Sequence, residues 1–261
     1  MGEVVRLEIR AVTAMLLTCA SLALASLAEA SSSRAFTLTA RLTPNVLGAS
    51  TNLSTTMNLV EGLEVPKPLS GVVAYLPAGL RLDVRGMSTC EITKLETDGP
   101  RGCPAESRVG FGGGVGEVDL GGMNVKEPYT LDFFLAPREH GHLALLIYAN
   151  ATSPAPVTLV LTAREVPAPR PYGFGLAVDV PSVSSVPGAA NASVESSYVS
   201  LGSPHAAYYR TIHGHRKLVH LKGLIAPTRC PRGGFPFETI VTFEDHTTST
   251  GSYLFPCPGR R

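Results

Sequence analysis

The sequence contains no tryptophan, and only 16% of its residues are charged, with 22 Lys and Arg against 21 Asp and Glu. A formal net charge of +1 gives no sign of the basic surface that binds the phosphate backbone of nucleic acids. The lack of indole, the strongest stacking side chain, weakens any hypothesis of a carbohydrate platform. The composition therefore gives no support to nucleic acid as a partner and little support to a sugar site.

Sequence motifs of common catalytic and cofactor-binding sites are also missing. There is no Gly-x-Ser-x-Gly nucleophile elbow, no His-Glu-x-x-His zinc helix and no calcium-binding loop. The glycine-rich stretch at 109–122 lacks the dinucleotide-binding spacing, and no Gly-Lys-Ser or Gly-Lys-Thr follows it. We interpret this stretch as a strand whose glycines allow bulges or close packing. We therefore expect a non-enzymatic protein that uses no cofactor.

Only one apolar run is long, and it lies at the N-terminus. Arg6 and Arg10 precede the run at 11–28, which ends in the small-residue tripeptide Ala-Glu-Ala at 28–30. This order is typical of a secretory signal peptide that is cut at or near its last alanine. A retained anchor is the alternative, because the run is about as long as a short membrane span. We predict a signal peptide at 1–30 and a secreted or cell-surface protein, which contacts a membrane only through this segment if it stays uncleaved.

Cysteine is scarce, and Cys19 lies inside the predicted signal peptide, so four cysteines remain: Cys90, Cys103, Cys230 and Cys257. An even number of cysteines in an exported chain indicates disulfides. Of the three possible pairings we favour the local one, Cys90 with Cys103 and Cys230 with Cys257, because each pair brackets a short segment. Zinc ligands usually stand two to four residues apart and redox dithiols two apart, which neither pair does. The four cysteines are predicted to form two disulfides that stabilise the fold.

Short alternating segments fill the rest of the chain. The stretch "AFTLTARLTP" places Phe36, Leu38, Ala40 and Leu42 on one side and polar residues on the other, which is the period of a strand. Similar runs recur between turns, and the 26 glycines and 21 prolines are spread among those turns. No long window shows an apolar helical stripe. We predict an all-β fold, a large two-sheet antiparallel sandwich of about 11–13 strands with two local disulfides.

The stretch at 165–171 is the best candidate for a domain boundary. Its three prolines within five positions exclude both a helix and a central strand. Each half of the chain alone would hold only one disulfide and half of the strands. We therefore predict a single domain at 31–261, with two β subdomains divided near residue 169 as the alternative.

Four segments resemble those of a known group of proteins: "PAGLRLDVRGMSTC", "GPRGCPAESRVGFGGG", "YGFGLAVDVPSVSSVPG" and "CPRGGFPFETIVTF...PCP". The group consists of uncharacterised exported proteins from actinobacteria, in which comparable Cys-Pro-x-x-Ser-x-x-Gly and Cys-Pro-x-Gly-Gly-Phe-Pro segments occur in the same order. The resemblance covers most of the mature chain, and the C-terminal motif is its most specific part. It implies export and a disulfide-bonded β architecture, and it supplies no catalytic residues.

His213, His215 and His220 are the candidate metal ligands. On a strand, His213 and His215 would point to the same face, as a two-histidine metal site requires. Gly214 and the two basic residues that follow His215 instead favour an exposed turn, and the positive charges oppose a divalent cation. We therefore expect no metal at this position.

Tyr198, Tyr208 and Tyr209 are the candidate ligand-binding residues, since tyrosine offers a flat apolar face with a polar tip. Packing within the core or on a sheet is the alternative interpretation. The densest group of titratable residues, at 244–246, falls in a predicted turn. Neighbouring strand side chains point to opposite faces, so this group is not expected to converge on a substrate.

From the sequence we expect an exported, non-enzymatic structural or interaction module outside the cell or at its surface. Its partner would be a cell-envelope component or another protein. A glycan- or small-ligand-binding β sandwich is one alternative, and a tyrosine-lined groove would support it. A secreted hydrolase with a site built from distant loops is the other. A deep pocket with two converging carboxylates, or a serine beside a histidine, would support a hydrolase.

Overall fold

The computed structural model describes residues 34–59, 66–184, 190–202 and 205–258. The predicted signal peptide at 1–30 lies outside them. The described residues belong to one compact unit. No helix in the described ranges is long and apolar enough to cross a bilayer.

Strands make up most of the described chain, and one short α-helix accompanies them. The elements are, in chain order, β1 (Arg34–Ala35), β2 (Thr37–Thr43), β3 (Asn52–Asn58), β4 (Leu69–Pro77), β5 (Arg81–Asp83), α1 (Ile92–Asp98), β6 (Arg108–Asp119), β7 (Asn124–Leu135), β8 (Ala144–Ala151), β9 (Val157–Val166), β10 (Tyr172–Asp179), β11 (Ser193–Gly202), β12 (Ala207–Ile212), β13 (His215–His220), β14 (Gly223–Ile225), β15 (Phe235–Phe243) and β16 (Thr248–Phe255). Two short 3-10 helices, Gly99–Gly102 and Ala105–Ser107, follow α1.

Twelve of these strands form a single sheet in the order β1-β16-β15-β4-β10-β9-β8-β7-β6-β11-β3-β2. Neighbours pair antiparallel, except that β1 lies parallel to β16. Near the two ends of this order, β16 and β2 lie in contact, so the sheet curls into a nearly closed barrel. The prediction of an all-β antiparallel fold is confirmed.

The predicted two-sheet sandwich is wrong. The alternating apolar and polar residues belong to the inner and outer faces of one curved sheet, and not to two sheets packed face to face. The main sheet has twelve strands, and two separate two-stranded sheets add four more. Local alternation fixes which side chains share a face, but it does not fix how far the sheet bends.

The period of two is visible in the burial of individual strands. On β2, Leu38, Ala40 and Leu42 are buried between exposed polar residues, as the sequence predicts. On β15, Phe237 and Val241 are buried within a similar alternation. These side chains belong to one apolar cluster on the inner side of the barrel.

Strand β6 approaches its neighbouring strands closely along a row of glycines. Its inward positions at 110, 112, 114 and 116 are all glycine, and they pair with β7 on one side and β11 on the other. A Cβ at Gly114 would lie 2.0 Å from the carbonyl oxygen of Ser196, and one at Gly110 would lie 2.3 Å from that of Ser200. Side chains at these positions would push β11 away. The predicted strand with closely packed glycines is therefore what this stretch forms.

One end of the barrel, here called the capped end, is closed by the segments that precede β6 and β15. Strand β5 pairs with β14, whose three residues are all buried. Leu82, Val84 and Met87 pack against the inner cluster that contains Phe133 and Leu145. These contacts fill the barrel at the end where β4 stops and β6 begins. The opposite end, where β4 begins and β10 stops, is called the open end.

Both predicted cysteine pairs lie at disulfide distance. The Cα atoms of Cys90 and Cys103 are 5.0 Å apart, and those of Cys230 and Cys257 are 5.8 Å apart. The first pair brackets α1, and the second joins the segment before β15 to the end of β16. The local pairing is confirmed, and two disulfides are consistent with an oxidising compartment.

The proline-rich stretch at 165–171 connects neighbouring strands. Strands β9 and β10 lie on either side of residue 169 and pair antiparallel in the main sheet. The single domain at 31–261 and its alternative, two subdomains divided near residue 169, stay predictions.

Candidate functional site

The interior of the barrel is not completely filled. It contains a cavity of about 320 Å³, whose walls come from the inward-facing residues of most of the strands in the main sheet. Leu131, Ile147 and Leu161 are typical of the lining, which is predominantly aliphatic and aromatic. Ligand pockets in proteins measure about 300–1,000 Å³ and are mostly apolar, so this cavity has the size and character of a small-molecule site.

The cavity runs along the strands. On β7 its lining extends from Glu127 near the open end to Phe133 near the capped end. Strands rise about 3.3 Å per residue, which gives a depth of roughly 20 Å. The exposed Pro181 belongs to the lining at the open end, so the cavity reaches the protein surface there. The space is deep, narrow and closed at one end.

The charged residues of the cavity lining lie at the open end. Among the described residues that line the cavity, Glu127 and Glu244 are the only charged ones. Glu127 is buried on β7, and Glu244 directly follows β15. Strands β7 and β15 stand five places apart in the order of the main sheet, so the two carboxylates lie on different walls. A ligand entering the cavity would meet apolar walls with acidic groups at the entrance.

The carboxylate of Glu244 is held in place by hydrogen bonds. Ser182 Oγ donates to Glu244 Oε1 over 2.6 Å, and Asn191 Nδ2 donates to the same oxygen over 2.8 Å and to Oε2 over 3.1 Å. The hydrogen bond from Ser182, followed by that from Asn191, lowers the pKa of Glu244 below its usual value. Glu244 is therefore negatively charged at neutral pH.

Tyr129 covers the glycine face of β6 inside the barrel. Its hydroxyl donates to the carbonyl oxygen of Ser196 on β11 over 3.0 Å, so the ring crosses β6 at Gly114. Burial raises the pKa of Tyr129 to about 12. The phenol therefore stays neutral and keeps this hydrogen bond at physiological pH. Tyr129 is a fixed part of the cavity wall.

Ser200 on β11 lies beside His205, which follows that strand, and such a pair would support the hydrolase alternative. Ser200 Oγ and His205 Nε2 are 3.4 Å apart, and Asn52 Nδ2 donates to the same serine oxygen over 2.9 Å. Burial lowers the pKa of His205, and its ring meets the ring of Phe111 edge to face at 4.4 Å between centroids. Neither Ser200 nor His205 lines the cavity. The contact is therefore separate from the main ligand-sized space.

The three tyrosines singled out from the sequence lie outside the cavity lining. Tyr198 is exposed on β11. Tyr208 and Tyr209 are consecutive on β12, and the guanidinium of Arg216 lies 4.2 Å from the centre of the Tyr209 ring. No ring contact joins the three tyrosines within the described ranges.

The candidate histidine ligands lie on the hairpin of β12 and β13. His213 and Gly214 have φ angles of 52° and 78° and form a two-residue turn between paired Ile212 and His215. His220 lies at the far end of β13. The expected turn is thus present at 213–214. Across the described residues, no group of three or more His, Cys, Asp or Glu side chains is placed to hold a metal ion.

Another carboxylate pair lies on the outer side of the barrel. Lys126 Nζ contacts Glu117 Oε2 at 3.0 Å and also pairs with Glu195. Burial raises the pKa of Glu195, while a hydrogen bond from Glu195, together with Lys126, lowers the pKa of Glu117. The group links β6, β7 and β11 on the face opposite the cavity. Its contacts indicate a structural role.

The sequence interpretation missed the cavity and Glu127, and it set Glu244 aside as part of the titratable group in the turn at 244–246. A usable signal for Glu127 exists, because the period of two places it on the same face as Tyr129, Leu131 and Phe133. A carboxylate in such an apolar series is rarely buried unless it is paired, so the pattern draws attention to this position. Glu244 gives no comparable signal, since it lies in a turn.

No protein family, no curated protein and no solved structure matches this chain. The resemblance to exported actinobacterial proteins therefore stays a prediction. The geometry of the cavity is the main source of functional information.

Proposed function

We propose that this protein is exported and binds an apolar small molecule, such as the alkyl chain of a lipid, inside the barrel. The supporting observation is the cavity of about 320 Å³, whose walls are apolar along most of its depth. This is the small-ligand alternative from the sequence, with an apolar ligand in place of a glycan. Export rests on the signal-peptide pattern at 1–30, and the two disulfides are compatible with it.

The apolar walls of the cavity favour an apolar ligand. The cavity opens at the surface, so its walls contact water when no ligand is bound, and covering apolar area contributes about 25 cal/mol per Å². For walls of this extent, the free energy available from covering them is on the order of several kcal/mol. An alkyl chain would recover much of it by filling the space and leaving water. Binding and stability should therefore be coupled.

The other functions considered have weaker support. A glycan site would need the three tyrosines to share a groove, and no ring contact joins them in the described chain. A hydrolase would need substrate space beside Ser200 and His205, and neither residue lines the cavity. A purely structural role would leave the cavity without a use.

Chain length provides a direct test. Burying one methylene contributes about 0.8 kcal/mol, which corresponds to an affinity gain of about fourfold. In a calorimetric titration with straight-chain 1-alkanols, Kd should fall by about this factor for each added carbon. It should level off once the chain spans the depth of roughly 20 Å. A negative heat-capacity change should accompany binding.

Two variants with the same substitution separate the inner face from the outer face. Ala149 lines the cavity on β8, whereas Ala177 on β10 alternates with the lining residues Leu176 and Val178. Ala149→Phe fills the cavity and should weaken binding at least tenfold, while Ala177→Phe should bind like the parent. The proposal is refuted if no alkanol binds the parent, or if both variants lose affinity equally.

A further inference from the structure

We infer that the ligand is a single-chain amphiphile whose head group donates hydrogen bonds, with an ammonium preferred to a hydroxyl and a carboxylate disfavoured. This inference rests on the proposed function, because it assumes that the alkyl chain occupies the cavity. It concerns the end of the ligand that remains at the entrance.

The first step is the location of charge. The described lining contains Glu127 and Glu244 and no lysine, arginine or histidine. Both glutamates lie near the open end, and the capped end is formed by apolar residues such as Leu82 and Val84. An amphiphile lowers its desolvation cost by placing the chain in the closed apolar end. Its head group then lies among the carboxylates.

The second step is the charge state of the entrance. Hydrogen bonds from Ser182 and Asn191 stabilise the carboxylate form of Glu244, so this group presents negative charge. A ligand carboxylate at the same place would meet a like charge, which destabilises binding. A ligand ammonium would meet the opposite charge of the carboxylate and would offer up to three hydrogen-bond donors. A hydroxyl offers one donor without a charge.

The third step concerns the lysines that lie close in sequence to the entrance. Lys67 pairs with Asp245, and Lys126 pairs with Glu117 and Glu195 on the outer side of the barrel. Both ammonium groups are thus engaged with carboxylates that do not line the cavity. The acidic character of the entrance therefore persists with these lysines nearby.

The test compares three ligands with one chain length: an alkylamine, an alkanol and an alkanoate, each below its micelle-forming concentration at neutral pH. The parent protein should bind the amine most tightly, the alcohol next and the acid least. Hydrogen bonds to charged groups contribute enough to predict a difference of about tenfold or more between amine and acid. An acid that binds as tightly as the amine overturns the head-group inference.

Glu244→Gln supplies the matched variant, since it removes the charge and keeps the side-chain length. Amine affinity should fall by about tenfold, alcohol affinity should change little, and acid affinity should rise. Glu238→Gln is the control, because Glu238 lies on β15 outside the cavity lining and contacts Tyr172. Equal changes in the two variants would overturn the assignment to Glu244. If none of the three ligands binds the parent, the proposed function itself fails.

Discussion

Replacing Gly114 with alanine should disrupt a close approach of two strands in the barrel. A Cβ on Gly114 would lie 2.0 Å from the carbonyl oxygen of Ser196 and 2.5 Å from the hydroxyl oxygen of Tyr129. Non-bonded carbon atoms pack best at about 3.5–4.0 Å. The carbonyl belongs to the backbone of β11, so it cannot rotate away as a side chain could. Strands β6 and β11 must therefore separate, and Tyr129 must move.

The expected loss of stability combines two terms. Overpacking in a well-packed region costs about 1–3 kcal/mol. Displacement of Tyr129 removes its hydrogen bond to Ser196, which contributes about 1 kcal/mol. We expect Gly114→Ala to lower the free energy of unfolding by about 3 kcal/mol. With a urea m value of about 2 kcal/mol/M, the unfolding midpoint should fall by about 1.5 M.

Gly71→Ala is the matched control in the same sheet. A Cβ on Gly71 would lie 3.6 Å from the carbonyl oxygen of Val178 and 3.9 Å from Cβ of Thr242, which are ordinary contacts. This variant should keep the parent midpoint or gain slightly, because alanine lowers the entropy of the unfolded chain. If both variants unfold at the same urea concentration, the strands do not approach as closely at Gly114 as the structure indicates.

Four further predictions follow from the cysteines, the histidines and one buried carboxylate. If the protein is exported and cleaved as proposed, thiol labelling of the denatured, unreduced protein should detect no free cysteine, and labelling of two or four cysteines would contradict the two disulfides. Cys257→Ser should lower the free energy of unfolding by about 2–4 kcal/mol and, under the proposed export, reduce secreted yield, because β16 is no longer held by the disulfide and exposes an edge; melting like the parent would refute this. His213→Ala combined with His215→Ala should change stability by no more than about 0.5 kcal/mol, and a zinc-dependent rise in Tm of the parent alone would indicate a metal site instead. The hydrogen bond and charge of Arg85 hold the pKa of Asp83 well below its usual range, so the ion pair stabilises the fold above about pH 4, and this stability is lost as pH falls through the lowered pKa. When urea unfolding midpoints are measured at a series of pH values, Asp83→Asn should lose less stability at acid pH than the parent does. An unchanged slope of midpoint against pH would contradict this.

Features that depend on a few neighbouring residues were predictable from the sequence. The hairpin of β15 and β16 follows from two apolar-alternating runs joined by a polar turn, and the structure pairs Phe235 with Phe255 and Thr242 with Thr248. The turn at His213 and Gly214 follows from a glycine between two strand-like runs. The local cysteine pairing has the same origin, because each disulfide closes a short segment.

The arrangement of the strands was not predictable in this way. Strand β4 pairs with β10 and β15, and β6 pairs with β11, although the strands of each pair lie far apart in the chain. Their inward residues would alternate identically in a sandwich and in a barrel. What distinguishes the two is the bend of the sheet, and the close approach of β11 to the glycines of β6 depends on that arrangement.

The presence of a cavity was also not predictable from local sequence patterns. Leu131, Ile147 and Leu161 would look the same in sequence whether opposite walls touched or stood apart, because apolar alternation records only the side that avoids water. The separation of the walls depends on the number of strands that share the sheet, since barrel diameter grows with strand number.

Along β7, the lining of the cavity changes from a carboxylate near the open end to an aromatic ring near the capped end. Glu127 and Phe133 lie six residues apart on the same face, so the carboxylate and the deep aromatic ring are separated by roughly 20 Å along the strand. A ligand whose chain reaches Phe133 therefore places its head group near Glu127. A ligand with a shorter alkyl chain cannot contact both Phe133 and Glu127. Head-group preference should consequently be strongest for the longest chain that the cavity holds.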